Sequence, residues 1–179
     1  MVPCLHLGQL PDAALAHVRA YQRHRAERDT LPLLADHLRF CALAGHQERG
    51  LRILAEQLHR LDQPYDEAAA MRLAAAGALV CRLAEAAGGP TGTIHRPGYG
   101  DRRPADLAVA SLGRELVATA RDYAGRFDAR NGTSHQSGLV SGWLLARPLC
   151  AAPPLPDDEL AGDAADPADP DRLAGGSEH

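Results

Sequence analysis

The chain of 179 residues contains no lysine, and every one of its nineteen basic residues is an arginine. That absence removes Schiff-base chemistry and Walker-type phosphate cradling, both of which need a primary amine. Aromatic residues are scarce at 4%, with one Trp and two Phe. A core must therefore be built mainly from Ala and Leu, side chains suited to close helix packing. Cys4, Cys41, Cys81 and Cys150 lie far apart with no CxxC pair and no histidine at ligand spacing, so zinc or dithiol chemistry has no local signature. Cys41 and Cys81 fall inside helical patterns and read as small buried hydrophobes with reduced thiols. No run of eighteen apolar residues occurs, and the opening MVPCLHLGQLPDAALAH lacks a basic segment followed by an apolar one. Both features point to a cytoplasmic protein without a membrane partner.

What is present is ordinary for a globular chain: 45% hydrophobic and 23% charged residues. The bias toward Ala, Arg, Gly and Pro is what a high-GC bacterial coding sequence produces. The net charge of −4 is unevenly spread, because residues 148–179 hold eight acids against one Arg, leaving fifteen acids and eighteen Arg in residues 1–147. That small basic surplus is far from the dense stripe of a nucleic-acid binder. From Pro148 onward, six prolines and concentrated negative charge predict a disordered tail, since too little apolar surface is available to offset the entropy of ordering. The expected organisation is a helical domain over 1–147, with a Gly/Pro-rich insertion at 88–104, and an acidic tail over 148–179.

Apolar residues recur at three- and four-residue steps through most of the domain. PDAALAHVRAYQRHRAE predicts a helix over 11–28, with Pro11 and Asp12 in its first turn. LPLLADHLRFCALA predicts a helix over 31–44, stopped by Gly45. QERGLRILAEQLHRL predicts a helix over 47–61, and the short link before it requires an antiparallel neighbour. Gly50 weakens the first turn of that helix, which makes sense as a close crossing that a larger residue would obstruct. Asp66 is the expected cap of a helix running to about Ala87. Beyond the insertion, where TIH is a candidate strand, helix is expected from Ala105 to the RNGT segment, followed by a last helix capped by Ser134.

Two internal registers stand out. LGQLPDAALAHV and AGHQERGLRIL match at a spacing of 36–37, each with a glycine, a short polar link, a small residue and an apolar stripe. RFCALAG, RLAEAAG and RFDARNG match at 43–44, a spacing that helix-end capping alone also produces. The first register resembles a tetratricopeptide repeat. The resemblance places Leu34 at the large first-helix site, Gly45 at the turn, Gly50 at the small crossing site and Leu54 one turn later. Leu38 stands where the family has glycine, Gln57 where it has alanine, and Pro64 comes two residues late. The likeness covers residues 2–87 and, loosely, 105–147, and the lack of a first helix at the chain's start suggests a divergent or truncated end of a longer array. The implied fold is all-α, antiparallel helix hairpins stacked as a short α-solenoid; a longer solenoid repeat and a non-repeat bundle are the alternatives.

The resemblance implies a non-catalytic protein whose first helices line a concave groove for a partner protein or peptide. Arg39 and Arg82 share an offset from their glycine caps and would face that groove, where two guanidinium groups can hold an acidic segment. Asp36, one turn before Arg39, is grouped with them as partner-binding, and the acidic tail is a candidate self-masking occupant. A second reading is the sensory or regulatory module of a transcription-control system. A third is an enzyme using Thr93, His95, Tyr99 and Asp101 of the 91–101 loop. No cofactor or metal is expected, because the nine histidines form no HxxxH or HExxH motif, and His17 and His24, among arginines, read as a solvated face.

Overall fold

The computed structural model describes residues 1–27, 29–88 and 92–156. Among them are seven α-helices: α1 (Val2–His6), α2 (Leu10–His24), α3 (Leu31–Leu43), α4 (Gln47–Gln57), α5 (Glu67–Ala86), α6 (Val109–Asn131) and α7 (His135–Leu145). A 3-10 turn, Leu58–Leu61, follows α4, and two short strands, β1 (Thr93–Arg96) and β2 (Ala105–Ala108), separate α5 from α6. The fold is thus mostly helical with one antiparallel hairpin. The expected tail boundary at 148 falls too early, since residues 148–156 are in place and Pro153 is buried. The rest of the expected tail lies outside the described residues.

Local chemistry accounts for most helix ends. Gly45, at φ +80°, sits in the left-handed region just past α3, where a Cβ would clash. Asp66 accepts a hydrogen bond from the Ala68 amide at 2.8 Å and caps α5. Gly8, Gly88 and Gly132 also have positive φ, so both internal registers mark helix ends.

Several ends were set elsewhere in the fold. α2 stops at His24 rather than at 28, because side chains take its terminal carbonyls: the Thr30 hydroxyl donates to His24 (3.0 Å), and Arg60 donates to Arg25 (2.9 Å) and Glu27 (2.6 Å). Residues 105–108, expected to be helical, instead form β2, whose Asp106 and Leu107 pair with His95 and Ile94 of the expected TIH strand. Ser134 stands at the N-cap position of α7, as expected, but its side chain makes no capping bond. The capping bonds come instead from Asp128 of α6, which accepts from the amides of Gln136 (2.9 Å) and Ser137 (2.8 Å). α1 corrects the expectation that the chain starts without a first helix.

The segment AAAMRLAAAGALVC of α5 is apolar around almost its whole circumference, the pattern of a helix surrounded by others. It packs against α3, α4, α6 and α7 and is almost entirely buried. α3 in turn packs on α1, α2, α4 and α5. Gly50 lies at the meeting of α3, α4 and α5, where an added Cβ would stand 2.9 Å from a Val80 methyl and 3.2 Å from the Cys41 Cβ. Cys41 and Cys81 are fully buried, and burial pushes both thiols up to about 12.

Asp62, whose side chain is 4% exposed, fastens the hairpin to the helices. Its two carboxylate oxygens accept from Arg102 at 2.6 and 2.7 Å, and Arg96 adds a bond at 3.1 Å. Hydrogen bonding from Arg102, and then from Arg96, holds its carboxyl below the usual carboxylate range against the opposing effect of burial. Asp62→Asn should release the hairpin while leaving the helices folded. Trypsin reads this out at Arg102, since Arg96 and Arg103 precede prolines. Cleavage there should accelerate about tenfold or more, because local opening governs the rate; an unchanged rate would show that Asp62 is not the anchor.

Candidate functional site

Leu34 and Leu54 are buried at the α3–α4–α5 core, and Gly45 and Gly50 form the corner and the crossing already described. Arg39 on α3 is ion-paired with Asp36 at 3.7 Å, and its guanidinium lies 4.0 Å above the Trp143 ring of α7. Arg82 on α5 donates to the carbonyl of Ala146, the residue that ends α7. Trp143 lies in the last turn of α7 and Ala146 is the extended residue just past it, so the two arginines hold the same end of α7 from two different helices. The side chain of Arg39 is only 23% exposed.

The chain after α7 continues over the α3–α4 corner. The Leu149 amide donates to the Leu43 carbonyl at 2.8 Å, and a Cβ on Gly45 would stand 3.0 Å from the Ala152 backbone nitrogen. Leu155 then joins His46, Arg49, Arg52, Ala84 and Ala87 in the lining of a cavity of about 410 Å³. Burial lowers the pKa of the His46 ring there, and a hydrogen bond with the Pro153 backbone opposes the effect. α7 and residues 146–156 therefore pack against the face of α3 and α5 singled out in the sequence, with Arg39 half-buried and Arg82 still exposed.

A second constellation escaped the sequence reading. His17, expected on a solvated face, is fully buried, as is His37. Their Nδ1 atoms are 3.0 Å apart. Arg49 donates from Nε to His17 Nε2 at 2.9 Å, so that nitrogen carries no proton and the proton of neutral His17 is on Nδ1, donated to His37. The His37 proton is then on Nε2, which has no hydrogen-bond partner among the described residues. Phe40 stacks on His17 at 4.4 Å and Tyr21 meets His37 edge-on at 5.4 Å. Burial, followed by the nearby His37 and Arg49, depresses His17 to about 2. Burial, followed by His24 and Arg49, depresses His37 to about 4. One signal was available in the sequence: His17 lies on the same helical stripe as Ala14, Val18 and Tyr21.

The residues of the 91–101 loop do not converge. His95 pairs through Nδ1 with Asp106 at 2.8 Å on the exposed hairpin, while the Tyr99 hydroxyl donates to Gln63 at 3.1 Å. Asp101 is exposed. Among the described residues no three His, Cys, Asp or Glu side chains are grouped as a metal ion requires, and no helix is long and apolar enough to cross a membrane. No family model, curated protein or solved structure matches the chain.

Proposed function

We infer that the chain is a non-catalytic helical-repeat protein that binds a helical partner segment on the face formed by α3 and α5. The observation that carries this reading is the grip of Arg39 on Trp143 and of Arg82 on the Ala146 carbonyl. A guanidinium over an aromatic ring and a second one on the carbonyl of the residue that follows a helix are recognition chemistry, since the first favours a flat electron-rich face and the second a negatively polarised oxygen. The partner would supply an aromatic residue and, about one turn later, a helix end or a carboxylate. In the free chain α7 holds that position in cis.

The stacked-repeat architecture is part of the same proposal. It draws support from the α1–α2 and α3–α4 pairs, whose links carry Gly8 and Gly45, both with positive φ, and from the succession of α1, α3 and α5 as packed neighbours.

The test uses the full chain and a fluorescent peptide of residues 135–156. Trp143→Ala loosens the resident helix, so the variant should capture the peptide at least about tenfold more tightly than the parent, in which a tethered competitor acts at high effective concentration. Adding Arg39→Ala and Arg82→Ala should abolish the gain. Equal capture by the parent and the Trp143 variant, or none by either, would overturn the reading.

A further inference from the structure

A separate concavity lies between α2 and α4, away from the face covered by α7. Its volume is about 390 Å³, within the range of small-molecule sites. Arg25 from the end of α2 and Arg49 and Arg52 from α4 line it, together with Tyr21, Gln22 and Glu56. Three arginines and one glutamate thus line one opening. That carboxylate is already engaged, because Glu56 accepts the Tyr21 hydroxyl at 2.5 Å.

We propose that this cleft binds a small molecule carrying a phosphate or carboxylate group. Its chemistry matches that class in three respects. Guanidinium forks present paired N–H donors at the spacing of two oxyanion oxygens, and an arginine-only cluster keeps its charge at any physiological pH. The Arg49 side chain is oriented from behind by its Nε bond to His17 and lies 5.9 Å from the Tyr21 ring centre, so ligand binding has less side-chain freedom to remove. Gln22 and the edge of the otherwise buried Ile53 complete the lining.

The experiment titrates the full-length protein with inorganic phosphate and, separately, with succinate, following heat of binding and thermal midpoint, with sodium chloride at matched ionic strength as the reference. Arg25→Gln and Arg52→Gln alter exposed side chains and should leave the fold unchanged, as circular dichroism will report. Saturable binding is expected for at least one probe, weakened about tenfold or more in each variant, the loss expected for one charge-assisted contact. Phosphate alone would assign the site to phosphate esters, and succinate alone to carboxylates. A response no greater than that to chloride, or one unchanged in both variants, would overturn the proposal. Because Arg25 does not line the cavity that Leu155 shares with Arg49 and Arg52, the Arg25→Gln arm stands apart from the peptide experiment above.

Discussion

Acidification from pH 7 to pH 5 should destabilise the protein by on the order of 3–4 kcal/mol, the combined effect of two histidines that are buried without charge. His17 and His37 are depressed to about 2 and about 4 from an ordinary value of 6.5. In the unfolded chain both rings bind a proton as the pH falls through 6.5, whereas the folded rings do not. Folding is therefore fully supported above 6.5 and loses stability progressively as the pH drops toward the folded values. The hydrogen-bond chain sharpens the effect, since a proton added at His17 Nε2 would confront the Arg49 N–H now donated to it. Urea titrations at pH 7.5, 6 and 5 measure the slope. The double variant His17→Phe, His37→Leu replaces both rings with apolar groups of similar size and should flatten it. Retention of the full slope would assign the acid sensitivity to other groups, such as the carboxyls of Asp62 and Asp128. Both of these are held below their usual range, so their loss belongs to lower pH than that of the histidines.

The second large effect concerns the crossing at Gly50. Gly50→Val should lose about 3 kcal/mol, the upper range for overpacking a filled interior. The obstacles are a Val80 methyl at 2.9 Å and the Cys41 Cβ at 3.2 Å. Neither can swing aside: valine is restricted to one χ1 rotamer in a helix, and a Cβ moves only with its backbone. Gly50→Ala meets the same atoms, but its gain in helix propensity of up to about 1 kcal/mol partly offsets the clash. Gly125, in the exposed middle of α6 with nothing within 4 Å of an added Cβ, provides the contrast. There the alanine substitution should stabilise by about 1 kcal/mol. Thermal unfolding of the three variants tests the pattern, and a neutral Gly50→Val would show that α4 can move away from α5.

Gly50 also marks how far sequence reasoning reaches. A glycine in the first turn of an otherwise regular helix is unfavourable locally, so its presence pointed to a neighbouring backbone or side chain in close approach. The structure supplies that neighbour, with α5 as a second wall besides the expected α3. Gly45 and Asp66 were legible for a simpler reason: a left-handed turn and an N-cap are satisfied by atoms within a few residues. Asp128 and Asp62 were not. Asp128 caps a helix eight and nine residues further on, and Asp62 holds arginines 34 and 40 residues away. Nothing in the local pattern distinguishes such carboxylates from solvated ones.

The candidate binding residues divide in the same way. Arg39 and Arg82 share a register with their glycine caps, and both reach the C-terminal end of one helix. That this helix is the chain's own α7 could not be read from either register. His17 and His37 lie on different helices, and their twenty-residue separation becomes a 3.0 Å contact only when α2 packs on α3. Likewise Arg25, Arg49 and Arg52 meet around one cleft only because α2 and α4 flank α3.

By itself the sequence determined the helical character, most helix ends, the small-residue core and the close crossing at Gly50. These follow from side-chain volume, periodicity and backbone preference over a few residues, which act whatever the rest of the chain does. Tertiary structure alone decided which polar groups are buried together, which face is covered and where positive charge is concentrated. Those outcomes depend on distances between segments far apart in the chain, and pairing, burial and charge have energetic consequences only at the separations that packing creates.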